Sequence, residues 1–415
     1  MFEFSEFLVE DKQGKNLHLE HLEDEILNFG IGGGRGALYF LIELRNMLEG
    51  NARGQVNMTV KWDGAPAIFA GTDPEDGKFF VAKKSVFNAE PILYKSLDDI
   101  NNSDLSSQLK SKFTYAFQNF KKLGIQGVLQ GDLMFTEDDL ETKEIDGESQ
   151  VTFQPNTIVY AVPASSELAK TIKSAKIGVV WHTTYSGETL QTMKASFGAN
   201  IKGLKRTPDV WMDDASYKDV SGKASFTKME SEQVTNHLRD AGRAFRRINS
   251  KKLDAFLKLQ NSFTGQLAGA SFKTYNNSKV REGETVKNTK LHAMGYVTWV
   301  SDTFDKRIDK LKSDKKKEEV AEQRDTIVKE VNRHVDNMTA ILDFQNALVA
   351  AKLLIVDKLN SVKQLTNTFV KTDKGFKVVN PEGYVAIDKD GSAVKLVDRM
   401  EFSYNNFTAI KNWDK

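Results

Sequence analysis

The spacing of apolar residues changes several times along the chain, and each change predicts a change of structure. Between about Leu17 and Leu48 they recur at three- and four-residue steps, the period of a helix. "GIGGGRG" (Gly30 to Gly36) interrupts the run, and backbone entropy disfavours a continuous helix there. A helix–loop–helix connection is the expectation. A phosphate-cradling loop would follow a strand with the spacing G-x-G-x-x-G, and this stretch does neither. From Val56 the period shortens to two. "VNMTVKWDGAPAIFAG" (Val56 to Gly71) reads as a strand that turns at Asp63-Gly64, and "TDPEDG" joins "APAIFAG" to "KFFVAKKSVF" as a hairpin. "IQGVLQGDLMF", "TIVYAVP" and "KIGVVWHTTY" carry the strand pattern to about Tyr185, with "SSELAKTIKSA" a short amphipathic helix between the last two. From about Thr227 to Val370 helical spacing returns in a heavily charged context, and Ile327, Val331, Val335, Met338 and Leu342 mark a long amphipathic helix. After Phe376, "GYVAI", "DKDG" and "AVKLV" read as a second hairpin.

These periods predict an α+β protein of antiparallel sheets with flanking helices. Residues 1–55 form an N-terminal helical segment packing on the core, and 56–200 the first part of that core. A mostly helical insert occupies 201–372, and 373–415 return as strands completing the sheet begun near residue 56. Composition agrees: 415 residues, 40% hydrophobic and 28% charged, can bury a large core and form two or three domains. No apolar run approaches the ~20 residues that span a bilayer. The N-terminus "MFEFSEFLVEDKQGK" is acidic where a secretory signal would be basic and then apolar. A cytoplasmic protein with no membrane partner is expected. The absence of cysteine excludes disulfides, thiolate metal sites and cysteine nucleophiles. A net charge of +1 argues against nucleic acid wrapping the whole surface, so any such binding comes from local patches.

The candidate chemistry sits where polar residues punctuate apolar strands: "KWDG" at Lys61 to Gly64, "GDLMF" at Gly131 to Phe135, "PEGYV" at Pro381 to Val385 and "AVKLV" at Ala393 to Val397. In this order the four resemble the covalent nucleotidyltransferase superfamily, the ATP-dependent DNA and RNA ligases and mRNA capping enzymes. Its first motif is Lys-x-Asp-Gly; an acidic residue on a strand, a Glu-Gly strand and a lysine-bearing strand follow. The resemblance covers roughly Val56 to Tyr185 and Phe376 to Phe407. The full sequence is also similar to proteins encoded by tailed bacteriophages.

The resemblance implies a ligase-type core in which Lys61 attacks the α-phosphate of ATP. Such an amine must be uncharged, and burial, neighbouring cations and a divalent metal all favour that. Asp63 and Gly64 shape the turn and join the nucleotide site. Asp132, where the family has glutamate, contacts ribose or metal-bound water. Glu382 is the implied ligand of Mg²⁺ or Mn²⁺, with Asp132 second, and Lys395 the implied partner of the α-phosphate. Lys83, Lys84 and Ser85 stand where ribose and phosphate are touched. Trp181 is the implied platform for the base, with Tyr160 second. Each has a plainer reading: Asp63-Gly64 and Asp132 as turn residues, Glu382 as a turn cap, Lys395 as the solvent face of an edge strand, Trp181 as core. His18, His21, His182, His237, His292 and His334 show no zinc spacing and read as structural or surface residues.

Several positions depart from the family. Pro66 replaces a frequent arginine, and Thr59 a glutamate that reads adenine, leaving ATP against GTP open. Val397 takes the slot of a second lysine, for which Arg399 or Lys411 could substitute. The twenty residues after Lys395 are too few for the OB-fold of DNA ligases and capping enzymes. That points to RNA-ligase-like members, with the helical insert as accessory domain. In "HLRDAGRAFRRINSKK", Arg239, Arg243, Arg246 and Arg247 form a basic stripe, either a track for a phosphate backbone or a solvated face paired with acids. The expected function is an ATP-dependent polynucleotide ligase acting on RNA in preference to DNA through a lysyl-AMP. The alternatives are modification of a protein or small molecule, and an inactive binding or virion protein on the same fold.

Overall fold

The computed structural model describes residues 21–49, 57–145, 147–216, 225–263, 270–361, 367–372, 375–378, 383–387 and 393–400. Helix α1 (Glu25–Leu48) precedes strands β1 (Asn57–Lys61), β2 (Ala67–Thr72) and β3 (Phe79–Ala82). Helices α2 (Leu97–Asn101) and α3 (Ser107–Phe120) lead to β4 (Val128–Thr136), β5 (Glu141–Ile145), β6 (Glu148–Phe153) and β7 (Ile158–Pro163). Helix α4 (Glu167–Ser174) is followed by β8 (Ile177–Ser186), β9 (Lys194–Phe197) and β10 (Val210–Asp213). Then come α5 (Lys228–Arg247), α6 (Ser250–Asn261), α7 (Phe272–Arg281), α8 (Thr289–Ile308), α9 (Asp314–Asn332) and α10 (Val335–Asn360). The described strands end with β11 (Asn367–Thr372), β12 (Gly375–Val378), β13 (Gly383–Ile387) and β14 (Ala393–Leu396). The protein is α+β, as its periodicities predict.

Strands from the two ends of the sequence meet in one antiparallel sheet of order β1-β13-β14. Lys61 lies opposite Gly383, and Val385 lies between Thr59 on one side and Lys395 on the other. A second sheet runs β12-β11-β7-β6-β5, so β11 and β12 extend strands near the middle of the chain. The third runs β10-β8-β4-β2-β3, with β9 also on β8; β10 alone is parallel to its neighbour. Because β10 belongs to this sheet, sheet structure reaches Asp213, and the helical stretch runs from Lys228 to Asn360.

Helices cover the back of the β1-β13-β14 sheet. Tyr384, Ala386, Val394 and Leu396 on that face share a core with Leu41 and Leu44 of α1, Val234 and Leu238 of α5, and Ile341, Phe344 and Leu348 of α10. The expected helix–loop–helix at the glycines is replaced by a helix kinked at Phe29 and Gly30, the latter at φ 61°. Packing outweighs the entropic cost of the remaining glycines: a Cβ on Gly34 would stand 2.9 Å from Phe245 of α5, so only glycine lets the helices approach so closely. The apolar stripe from Val331 to Leu342 is one buried surface, but two helices carry it, breaking at Arg333 and His334. Contrary to the expectation that no apolar run approaches bilayer length, α10 is long and apolar enough to cross a membrane; its most apolar window is 56% buried among the other helices.

A buried ionic knot closes this region. Lys352 of α10 donates to both carboxylate oxygens of Glu23, at 3.0 and 2.8 Å. Arg399 pairs with both oxygens of Asp24 and lies 3.6 Å from Glu23. Burial opposes ionisation of Glu23, but Lys352 and Arg399 outweigh it and hold that carboxyl below its ordinary range. Burial pushes Asp24 the other way. His21, just before this pair, bridges by its backbone to Lys395 of β14.

Candidate functional site

Lys61 ends β1, and the turn after it touches all three sheets. Trp62 leaves the first sheet to stack on Tyr160 of β7, ring centroids 5.0 Å apart, with Trp211 edge-on at 6.2 Å. Asp63 donates its backbone N–H to the Tyr160 hydroxyl at 2.7 Å. Its carboxylate accepts from Asn156 Nδ2 at 2.7 Å, Thr157 Oγ1 at 2.6 Å, Thr157 N at 2.9 Å and Ile158 N at 3.0 Å. Gly64 then lies against β4, where a Cβ would stand 2.4 Å from Asp132 Cβ. Ala65 N donates to Leu133 O at 3.0 Å, and Leu133 N to Pro66 O at 3.1 Å, completing the stitch. The lysine strand is thus fixed next to Asp132 by a turn that tolerates neither a side chain at Gly64 nor loss of the acid at Asp63.

In front of the β1-β13-β14 sheet lies a cavity of about 80 Å³, lined by Thr59, Lys61, Val385 and Ile387 on one wall and by Asp132, Val180, His182 and Phe197 on the other. Strand alternation puts Lys61 on the face of Thr59, and the row Thr59, Val385, Lys395 puts Lys395 on it too. A cavity of this size accommodates a phosphate-sized group. A wider cleft of about 720 Å³ adjoins it, sharing Thr59, Phe197, Gly198 and Ile387 and adding Asn200, Lys202, Asp214 and Ser216.

The structure brings some predicted residues together and separates others. Asp132 shares the Lys61 cavity, and His182 Nε2 stands 3.7 Å from its Oδ1. Asp63 and Gly64 serve the turn, and the Asp63 carboxylate is occupied by four donors within the fold. Tyr160 is likewise engaged with the turn. Trp181 is fully buried on the far face of β8 with Phe120 of α3 edge-on at 5.1 Å, so it is core and not a base platform. Lys83, Lys84 and Ser85 follow β3, at the edge of the sheet two strands from β4, and do not line the cavity. Arg399 is committed to the ionic knot and supplies no second lysine-like group. Glu382 and Lys411 lie outside the described residues. The arginine stripe is exposed on α5, with Arg243 on Asp240 at 3.2 Å and Arg247 on Asp343 at 2.9 Å, while Arg239 donates to Asn236. That pairing is the solvated-face reading for two of its four members.

His182 is the residue that sequence reasoning missed. The alternation of "GVVWHTTY" forces Trp181 and His182 onto opposite faces, so burying the larger ring turns the imidazole into the cavity. Its Nδ1 is 2.8 Å from Thr183 Oγ1, which orients the ring. Among the described residues no group of three or more His, Asp or Glu side chains could by itself hold a metal ion. Asp132 alone suits a hard cation that arrives with phosphate oxygens and keeps its waters.

A family model described as a family of unknown function, DUF6267, matches residues 16–411. No curated protein and no solved structure matches the chain. The match takes in both the strands at the two ends of the sequence and the helical stretch between them, so the chain belongs, over almost its full length, to the DUF6267 family.

Proposed function

We propose that this protein is a nucleotidyltransferase of the ligase type that forms a lysyl-AMP at Lys61 and passes AMP to the 5′-phosphate of a polynucleotide, RNA in preference to DNA. One observation carries the reading. The strands bearing Lys61, Gly383 and Lys395, far apart in sequence, are neighbours in one sheet, and the cavity before that sheet is faced by Asp132.

In the first step the uncharged Lys61 amine attacks the α-phosphorus of ATP. A P–N bond forms, the bond to the β-phosphate breaks, pyrophosphate leaves and the amine gives up a proton. His182, on the opposite wall, is placed to receive it. Lys395, on the same sheet face as Lys61, is the cation for the α-phosphate oxygens. The small cavity has room for the reacting phosphate, and the adjoining cleft for ribose and base. A divalent metal bound with ATP would add charge neutralisation at the phosphates, and Asp132 is the described carboxylate that would hold it. In the second step a 5′-phosphate oxygen of the acceptor attacks the same phosphorus, the P–N bond breaks, and Lys61 leaves as an amine by taking back a proton.

The test is incubation with α-³²P-ATP or GTP and Mg²⁺ or Mn²⁺. Label held by the wild type through denaturing electrophoresis, released by acid but stable to alkali as a P–N bond is, and absent from Lys61→Ala is the expected result. A wild-type chain that takes no label with either nucleotide and either metal would overturn the reading.

A further inference from the structure

The helical arginines are the obvious place for an acceptor strand, yet they are poorly placed to serve Lys61. Phe226 N donates to Leu48 O at 2.7 Å, so the start of α5 sits at the Met47–Leu48 edge of the wide cleft. At a rise of 1.5 Å per residue, Arg239 begins about 18 Å further along the helix and Arg247 lies about 30 Å away.

Another basic surface starts in the cleft itself. Lys202 lines it. The loop that continues from Lys202 exposes Lys205 and Arg206, and Lys205 N donates to Leu123 O at 2.9 Å. That bond places the loop beside the exposed pair Lys121 and Lys122 at the end of α3. Lys122 then forms the rim of an open groove of about 640 Å³ that also contains Lys176. One carboxylate, Glu137, lines the groove and is outnumbered there by Lys110, Lys122 and Lys176; it shares the Tyr115 hydroxyl with Asp138 at 3.1 and 3.2 Å, and Asp209 holds Lys122 at 2.8 Å. Among the described residues no aliphatic side chain lines the groove; Ser111, Thr114 and Gln118 do. Such a lining offers hydrogen bonds to phosphate and sugar and no pocket for peptide side chains.

We propose that this surface, Lys202–Lys205–Arg206–Lys121–Lys122–Lys176, is the binding track for the sugar-phosphate backbone of the acceptor polynucleotide. The proposal deepens the function given above and rests on it for the delivery of the strand end to Lys61. Binding along the track is measured apart from that chemistry.

The experiment uses the full chain and fluorescence anisotropy with 5′-phosphorylated single-stranded RNA, single-stranded DNA, an RNA duplex and poly-glutamate. The Lys121→Glu/Lys205→Glu/Arg206→Glu variant should bind nucleic acid more than tenfold less tightly. Its plot of log affinity against log salt should be shallower by about 2, since each lost phosphate contact on a single strand removes about 0.7. The same triple change on the helix, Arg239→Glu/Arg243→Glu/Arg246→Glu, should alter affinity less than threefold. A glutamine version of the track triple and a thermal melt of each variant separate lost charge from lost fold. Unchanged binding by the track variants overturns the proposal, as do loss confined to the helical variant, poly-glutamate binding as tight as RNA, and no binding of nucleic acid by the wild type. If the wild type takes the nucleotide label but binds no polynucleotide, the track fails and Lys61 chemistry stands. Binding without label gives the converse.

Discussion

The two faces of the β1-β13-β14 sheet handle charge in opposite ways. Behind it, Glu23 and Asp24 are met by Lys352, Arg399 and Gln345, so buried charges are closely paired. In front of it, Asp132 has its histidine neighbour at 3.7 Å on the same cavity wall, beyond hydrogen-bond distance. The same contrast recurs within a few residues, between Asp63 with four donors and Asp132. A carboxylate that its surroundings have saturated is holding the fold; one left short of donors beside a cavity is available to a ligand.

Breaking the rear knot should have the largest effect. Lys352→Met takes both lysine hydrogen bonds from Glu23 and leaves only Arg399, at 3.6 Å, to offset its buried charge; it should cost about 3 kcal/mol in urea denaturation, while adding Glu23→Leu should recover most of the loss. Equal stability of the single variant and the wild type would mean the knot is solvated. Next comes the contrast between the two aspartates. Asp63→Ala leaves buried donors unpaired and should destabilise by about 3 kcal/mol. Asp132→Asn should stay within about 1 kcal/mol of the wild type and yet lose nucleotide labelling. If both variants lose stability alike, the distinction drawn between them fails.

The smallest effect is on pH. Burial, aided by Lys279, lowers His292 from 6.5 to about 4, and burial also lowers His21 and His334. These rings remain neutral in the fold while the unfolded chain takes up protons first. Their stabilising contribution is therefore complete above pH 6.5 and is lost as the pH falls toward 4. Thermal melts should drop across that window, and less steeply in His292→Gln.

Much of this was legible in the letters. Alternation located β2, β3, β4, β7, β8, β13 and β14, because each is a strand with an apolar face and turn residues at its ends. The spacing of Lys61, Asp63 and Gly64 marked the turn. What the letters could not carry was the choice of face. Trp181 and His182 are adjacent, and only the position of Phe120 on α3 decides which is buried. The glycines of α1 misled for a related reason: local entropy argues for a break, and contact with Phe245, more than two hundred residues away, overrides it. The resemblance assigns Asp63 to the nucleotide site, and nothing in the letters marks its partners Asn156, Thr157 and Ile158, which lie before and at the start of β7.

Pairing β1 with β13 also sets an order of events during synthesis. The sheet partner β13 is synthesised some three hundred residues after the lysine strand. Until β13 emerges, that strand lacks its sheet partner and its cavity lacks Val385 and Ile387. A chain cut short of β13 would therefore hold Lys61 and Asp132 without the Val385 and Ile387 side chains that help enclose them.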